Sequence, residues 1–266
     1  MNELLLSEIN SEQKNLLSAI ALIEEHVFNQ CPPYEASLDK LVNECQVALN
    51  GIEDSMDRAE CFINEIYVGQ LFLDNQRLLW PVVSQQLVQS IDFKIISPVL
   101  KAVIIEQVAI ECGLEAELIY VPEKIMVRII CDEVYSIIFD PISGESLNGQ
   151  QLDDRLDELD HAHNEVFLAA MEKQSVIVEH LSALKNSLIN EMMFDKALKC
   201  VDLLLALRPN DPFERRDRGF LLHQLDCFKV AYDDYQFFVN ECPKDPAAQL
   251  LKMQLDQITV AETVLH

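Results

Sequence analysis

From Val99 to Ile110 the chain is apolar on almost every side of a helical projection, with Val99, Leu100, Val103, Ile104, Ile105 and Val108 spread around it. Such a pattern predicts a helix covered by protein on most faces, not a surface helix with one apolar stripe. Ser97 and Pro98 form its opening, Ser as N-cap and Pro at the first helical position, where no amide donor is needed. Gly113 supplies the stop. Three short segments rich in Ile, Val and Tyr follow, 117–121, 125–131 and 134–139, and these predict strands. Only Asp132-Glu133 separates the last two, a length that suits a tight hairpin.

Upstream, residues 1–80 predict a helical layer. Ser11 is placed to cap a helix bearing Leu16, Leu17, Ile20, Ile23 and Val27, which Cys31-Pro32-Pro33 closes. A second helix carries Leu38, Leu41, Val42, Cys45 and Leu49 and stops at Gly51; a third opens at Ser55 and runs through Ala59, Phe62 and Ile66 to Gly69. Residues 71–80 read as an extended connection and 78–88 as a further short helix with Pro81 near its start. No Gly-rich, Pro-rich or charged break divides these segments from the central helix and strands, so 1–145 read as one unit.

Past residue 165 the pattern repeats. Leu207-Arg208-Pro209-Asn210-Asp211-Pro212 returns as Glu241-Cys242-Pro243-Lys244-Asp245-Pro246, an offset of 243 − 209 = 34 that Ala197 and Ala231 share. That period, with a small residue in mid-motif and Pro at the end, is the signature of tetratricopeptide helix–turn–helix units. The frame predicts repeats at 178–211 and 212–245, a helix over 166–177 leading in, and a capping helix over 247–262. Gly219, Ala197 and Ala231 fall where neighbouring helices approach closely.

The predicted fold class is therefore α+β, mostly α. It comprises an N-terminal helical layer, a helix-plus-antiparallel-sheet core and a C-terminal array of α-hairpins, with domains at 1–160 and 161–266. A chain cut near residue 165 is expected to leave a folded N-terminal piece.

Charge narrows the partners. With 45 acidic against 20 basic residues the chain carries −25. Such a surface repels phosphate backbones and anionic lipids, which argues against nucleic acid and membrane surfaces and for a protein or peptide partner. The closest two of the eight Cys are fourteen residues apart and no CxxC occurs, so zinc and disulfides are not expected and a reducing compartment is. The N-terminus has acids where a signal peptide needs a basic region, and no apolar run is long enough to span a bilayer; a cytoplasmic location is the expectation. Asp153, Asp154, Asp157, Glu158 and Asp160 lack the Gly and spacing of a calcium loop and read as a solvated helix face. His161 and His163 would point to different faces of a helix, unlike a metal pair. No cofactor is expected.

A helix whose N-terminus faces a small antiparallel sheet is the arrangement of papain-like and transglutaminase-like enzymes. There a Cys at the helix N-terminus is activated by the dipole and a His, which an Asp orients. Here those three places hold Pro98, Lys124 and Asp140. Pro offers no nucleophile, and lysine at its ordinary pKa is protonated and takes up no proton. Cys112 lies at the opposite end of the helix, where the dipole disfavours a thiolate.

The stretches PVLKAVIIEQVAIECGL, VPEKIMVRI, FDPISGESL, RPNDPFERRDRGFLLHQLDC and FVNECPKDP, with VLH at the end, resemble the bacterial YchA (SirB-type) family. The resemblance covers almost the whole chain and implies a transglutaminase-like domain joined to tetratricopeptide-like repeats. Family members often open the central helix with a Gly-Thr-Pro-like motif and the strand with a Pro-Gly-His-like one. This chain has Ile96-Ser97-Pro98 and Pro122-Glu123-Lys124 instead, without the Gly or the His.

Three functions follow as expectations, the third a purely structural subunit of a larger complex. The first is a non-catalytic scaffold or regulator, a pseudoenzyme domain that positions a partner held by the repeats. The alternative is a hydrolase or acyl-transferase using Ser97 as nucleophile, Lys124 as base and Asp140 as orienter. In the 34-residue frame the inner face of the array carries Phe213, Arg216, Phe220, His223 and Gln224 in repeat two, and Glu179, Ser182, Asn186, Ile189 and Asn190 in repeat one. Arg216, within the Arg215/Arg216/Arg218 cluster, is the candidate grip for a partner carboxylate with Phe220 as apolar floor. The competing reading pairs these arginines with Asp211, Glu214 and Asp217 on the helix surface.

Overall fold

The computed structural model describes residues 2–11, 13–30, 32–121, 124–147, 150–152, 169–253 and 255. Helices α1 (Asn2–Ile9), α2 (Leu16–Phe28), α3 (Glu35–Ala48) and α4 (Ser55–Asn64) form the N-terminal layer. The cap of α2 is Asn15, whose side chain accepts the Ser18 amide at 2.8 Å, and not Ser11 as expected. Asp54 caps α4 by accepting from Met56 and Asp57, and α4 continues into one π turn, Glu65–Gly69. The helix expected over 78–88 is replaced by a 3-10 turn at Val82–Gln85 followed by α5 (Leu87–Phe93).

Helix α6 (Pro98–Glu111) is the buried element that the apolar pattern predicts, and it packs on strands β1 (Glu115–Val121) and β2 (Lys124–Ile130). Gly113, at φ +76°, ends it: its amide donates to Ile110 O and the Leu114 amide to Ala109 O, both at 3.0 Å, the double bond of a Schellman stop. β2 pairs antiparallel with β1 and with β3 (Ser136–Phe139), giving the order β1-β2-β3. Alternate residues Ile125, Val127 and Ile129 enter the main core under α6, while Met126 joins Ile119, Val121 and Ile138 on the other face. The β2–β3 connection is longer than two residues. It spans 131–135, closed by the Cys131 amide on Tyr135 O and by Asp132 Oδ1, which accepts the Val134 and Tyr135 amides at 2.7 Å.

The repeats follow as α7 (Lys173–Asn190), α8 (Phe194–Leu207), α9 (Pro212–Gln224) and α10 (Phe228–Glu241), with a further helix over 246–253. Their backbone obeys the sequence period. The turns inside the two hairpins use left-handed residues Met192 (φ 58°) and Asp226 (φ 59°), and 226 − 192 = 34. Gly219 meets the expected close approach: a Cβ there would lie 2.8 Å from the Tyr235 ring. No separate helix covers the described part of 166–177. Ala170 instead bridges Ile119 at the edge of β1, and α7 starts at Lys173.

Two cores organise the molecule, and α2 belongs to both. Leu17 and Ile20 face the core of α3–α6 and the sheet; Ala19, Ile23 and Val27 face a second core. That second core also contains Ile9 of α1, Val82 of the 3-10 turn, and Ile177, Leu181, Leu184, Leu203 and Leu204 of the first repeat. Lys199 reinforces it by donating to His26 O at 2.9 Å and to Val27 O. The N-terminal layer and the first repeat thus share one apolar interior. The expected boundary at 160/161 lies outside the described residues.

Candidate functional site

The N-terminus of α6, the start of β2 and the end of β3 converge on one cavity of about 210 Å³. Pro98, Lys124 and Asp140 all line it, together with Tyr120, Gln76 and Glu179. Sheet register places Lys124 there: it is the first residue of β2, paired with Val121, while β3 delivers Phe139 opposite Val127 and so Asp140 beside the same end. Lys124 Nζ lies 3.1 Å from Asp140 Oδ2. Asp140 Oδ1 accepts the Ile142 amide at 2.7 Å and the Ser143 amide at 3.4 Å, and Gln76 Nε2 donates to Oδ2 at 3.4 Å. Burial alone would push this carboxyl up, but the Ile142 amide and the Lys124 ammonium outweigh it and hold the pKa below the usual range. Both oxygens of the Asp140 carboxylate thus accept hydrogen bonds.

Ser97 holds the N-cap position of α6, yet its hydroxyl does not cap the helix. It is fully buried and donates to Gln85 Oε1 at 2.7 Å. Gln85 Nε2 donates in turn to Ser187 Oγ of α7 at 3.2 Å. Ser97 is not among the described residues that line the cavity. The expectation that an N-cap role accounts for Ser97 is corrected: the apolar packing around α6 leaves its hydroxyl facing Gln85.

Sequence reasoning passed over Lys101, one turn into α6. Its side chain is 1 % exposed, and its ammonium donates to Phe72 O and to Ile142 O at 3.3 Å, beside the rings of Tyr67 and Phe72. Desolvation pulls its pKa down to about 8, against the attraction of Asp74 and Asp140. The Tyr67 hydroxyl donates to Asp140 O and Pro141 O at 3.2 and 3.0 Å. Lys101 thus ties the loop after β3 to α6, and Tyr67 ties it to the π turn. The signal was present in the sequence: a lone lysine in a helix apolar all round must be buried, and a buried ammonium must find acceptors. Glu179 was expected on the inner face of repeat one; the structure places it at the cavity, where α7 forms one wall.

On the array, Phe213, Phe220, His223 and Gln224 are exposed on α9, as are Asn186 and Asn190 on α7. Phe220 meets the Phe194 ring edge-on at 6.1 Å, Phe213 meets Phe238 at 5.7 Å, and His223 packs on Phe228 at 5.2 Å. Arg216 is not free. Its Nε and Nη2 donate to Asp217 Oδ1 at 3.0 and 2.8 Å, and its guanidinium lies over Phe213 and Phe238. That pairing is one of those expected along the helix surface; the other two arginines pair differently. Arg215 and Arg218 both hold the buried Asp234 of α10, and Glu214 is taken by Lys185 of α7 at 3.0 Å. The two carboxylates held across helices, Asp234 and Glu214, are the buried ones, and a buried carboxylate needs a charged partner.

The acidic residues 153–160 and His161 and His163 lie outside the described residues. Among the described residues, no cluster of His, Cys, Asp and Glu is placed to hold a metal ion, and no helix is long and apolar enough to cross a membrane.

A buried helix that meets an antiparallel sheet at its N-terminus, joined to two helical hairpins of 34-residue period, defines a two-part class of protein. The chain belongs to the transglutaminase-like superfamily, whose family model matches residues 33–182, and a tetratricopeptide-repeat model matches 184–256. More particularly, it is 28% identical over 237 residues to a UPF0162 protein of Vibrio cholerae, 86% of each chain. It is 35% identical over 148 residues to the UPF0162 protein YchA of Escherichia coli K12, which is 54% of this chain and 55% of that one. Protein SirB1 of Salmonella typhimurium is 34% identical over the same length, again 54% and 55% of the two chains. The YchA (SirB-type) resemblance read from the residues is borne out. No solved structure matches the chain.

Proposed function

We propose that this chain is a non-catalytic scaffold or regulator, in which a transglutaminase-like domain without catalytic chemistry positions a protein or peptide partner held by the repeats. The observation that carries the reading is the Lys124–Asp140 pair at 3.1 Å. Where an activating imidazole would stand, a lysine side chain is paired with the carboxylate. Pro98 brings no nucleophile to the helix N-terminus. The alternative hydrolase or acyl-transferase has Ser97 against it, since that hydroxyl is buried and committed to Gln85. Labelling of the intact protein with a fluorophosphonate tests this alternative: no modified serine is expected, and modification of Ser97 would overturn the scaffold reading.

The partner surface proposed on the array is the face bearing Asn186, Asn190, Phe213 and Phe220. Exposed asparagines supply hydrogen bonds to an extended backbone, and the two aromatics supply apolar floor. Arg216 joins only by exchanging Asp217 for a partner carboxylate, so it contributes less than a free arginine would. Capture from cell extract by the wild type and by an Asn186→Ala/Asn190→Ala/Phe220→Ser variant of unchanged circular dichroism tests the surface. A partner lost by the variant supports it, and identical captured sets overturn it.

A further inference from the structure

A second groove lies on the transglutaminase-like domain, between the α4–π-turn face and β3. It measures about 470 Å³. Met56, Ile63 and Val68 form one wall; Ile137 of β3 and Leu147 form the other. The spacing of 56, 63 and 68 keeps one face of the helix along the groove, and the π turn carries that face on to Val68, which is 64% exposed. Gly144 makes the floor possible. It has φ +72°, and a Cβ on it would stand 2.6 Å from the Tyr67 ring, so the chain passes directly under that ring.

The rim is acidic. Glu60 lines the groove and is exposed. At one end Cys131 Sγ lies 3.8 Å from Met56 Sδ, and the carboxylates of Asp132, Asp54 and Glu60 crowd close enough to push the Cys131 thiol up, adding to its burial. The hairpin turn that holds Cys131 also presents Val134 and Tyr135, 79% and 59% exposed. No lysine or arginine is among the described residues that line the groove. An apolar trough with an anionic edge complements an amphipathic segment with cationic flanks, and a chain of net charge −25 repels a second copy of itself.

We propose that this groove docks a partner segment that presents aliphatic side chains flanked by lysine or arginine. The proposal is independent of the repeat surface: it rests on different residues and on the other half of the chain. It adds a second contact to any partner gripped by the array, or a first contact to a second partner.

The experiment uses three fluorescein-labelled synthetic peptides and the intact protein, read by anisotropy at physiological salt. One peptide has leucine and lysine in helical amphipathic spacing, the second replaces each lysine by glutamate, and the third replaces each leucine by serine. The first is expected to bind, and the other two to bind at least about tenfold more weakly. Because any cationic peptide is drawn to an acidic protein, the groove variant Glu60→Lys/Val68→Lys is compared with Asp39→Lys/Val47→Lys, which makes the same charge change at exposed positions of α3. The groove variant should lose roughly tenfold in affinity and the α3 variant less than about twofold. Equal losses in both, no loss in either, or equal binding of the serine peptide would overturn the proposal. A wild-type dimer in sedimentation that Glu60→Lys/Val68→Lys dissociates would also overturn it, by making a second copy the occupant.

Discussion

Gln85 and Ser187 meet across 102 positions of sequence, with Gln85 Nε2 donating to Ser187 Oγ at 3.2 Å. Gln85 also accepts from Ser97 at the head of α6, so one buried amide ties the central helix to the first repeat. Replacing Gln85 by Leu leaves the buried Ser97 hydroxyl without its acceptor, while Ser187 keeps its bond to Ala183 O at 3.1 Å, and should destabilise the protein by about 1–3 kcal/mol, measured as a lower urea midpoint at unchanged slope. A midpoint equal to that of the wild type would show that this chain of bonds contributes nothing.

The cleft pair separates two roles. Asp140 holds two backbone amides in addition to Lys124, whose side chain is partly exposed. Asp140→Ala is expected to cost about 1–3 kcal/mol, and Lys124→Ala only about 0–1 kcal/mol because solvent screens the ammonium. Denaturant titration of the two variants checks the order, and the reverse order would make the ion pair the principal bond.

Lys101 predicts an alkaline dependence. Its pKa is about 8 in the fold, against 10.5 for an unburied lysine, so between those values the unfolded chain binds more protons than the native one. Its contribution therefore rises as pH increases from about 8 to about 10.5. Lys101→Met should flatten that segment of the stability profile, measured by urea melts across the window.

Glu24 runs the other way. It is buried in α2, accepts the Leu87 amide at 2.8 Å on one oxygen and leaves the other without a partner. Burial raises its pKa from 4.5 to about 7, against the pull of that amide, so the folded protein keeps a proton that the unfolded chain releases. Stability drawn from this group is full below about 4.5 and lost as pH rises through about 7. Glu24→Gln should be more stable than the wild type at pH 8 and show little difference near pH 4. Thermal melts at the two pH values check it.

The shared interior revises the expectation of separable halves. A chain ending at Glu165 would expose Ile9, Ala19, Ile23, Val27 and Val82, which face the first repeat. It should lack a cooperative unfolding transition, whereas a chain ending after Leu207 should keep one. Calorimetry of the two fragments distinguishes the cases.

Much of this architecture was legible because its patterns are local. The all-round apolar run of α6, the alternation in β2 and the 34-residue period are each set by neighbours along the chain. What escaped depends on partners far away. A short helix was expected to begin at Leu78, but Leu78 and Leu79 stand exposed in an irregular segment, since apolar character alone does not say which side chains find cover. The convergence of Pro98, Lys124 and Asp140 could be placed from their positions at element ends. The wall contributed by Glu179 could not, because it depends on how α7 leans against the sheet domain.

Docking the first repeat against α1 and α2 has a directional consequence. A helical solenoid needs its end faces sealed, and here the leading face is sealed by another part of the same protein. The array is thus polar: no further hairpin could stack ahead of α7, and the starting register stays anchored.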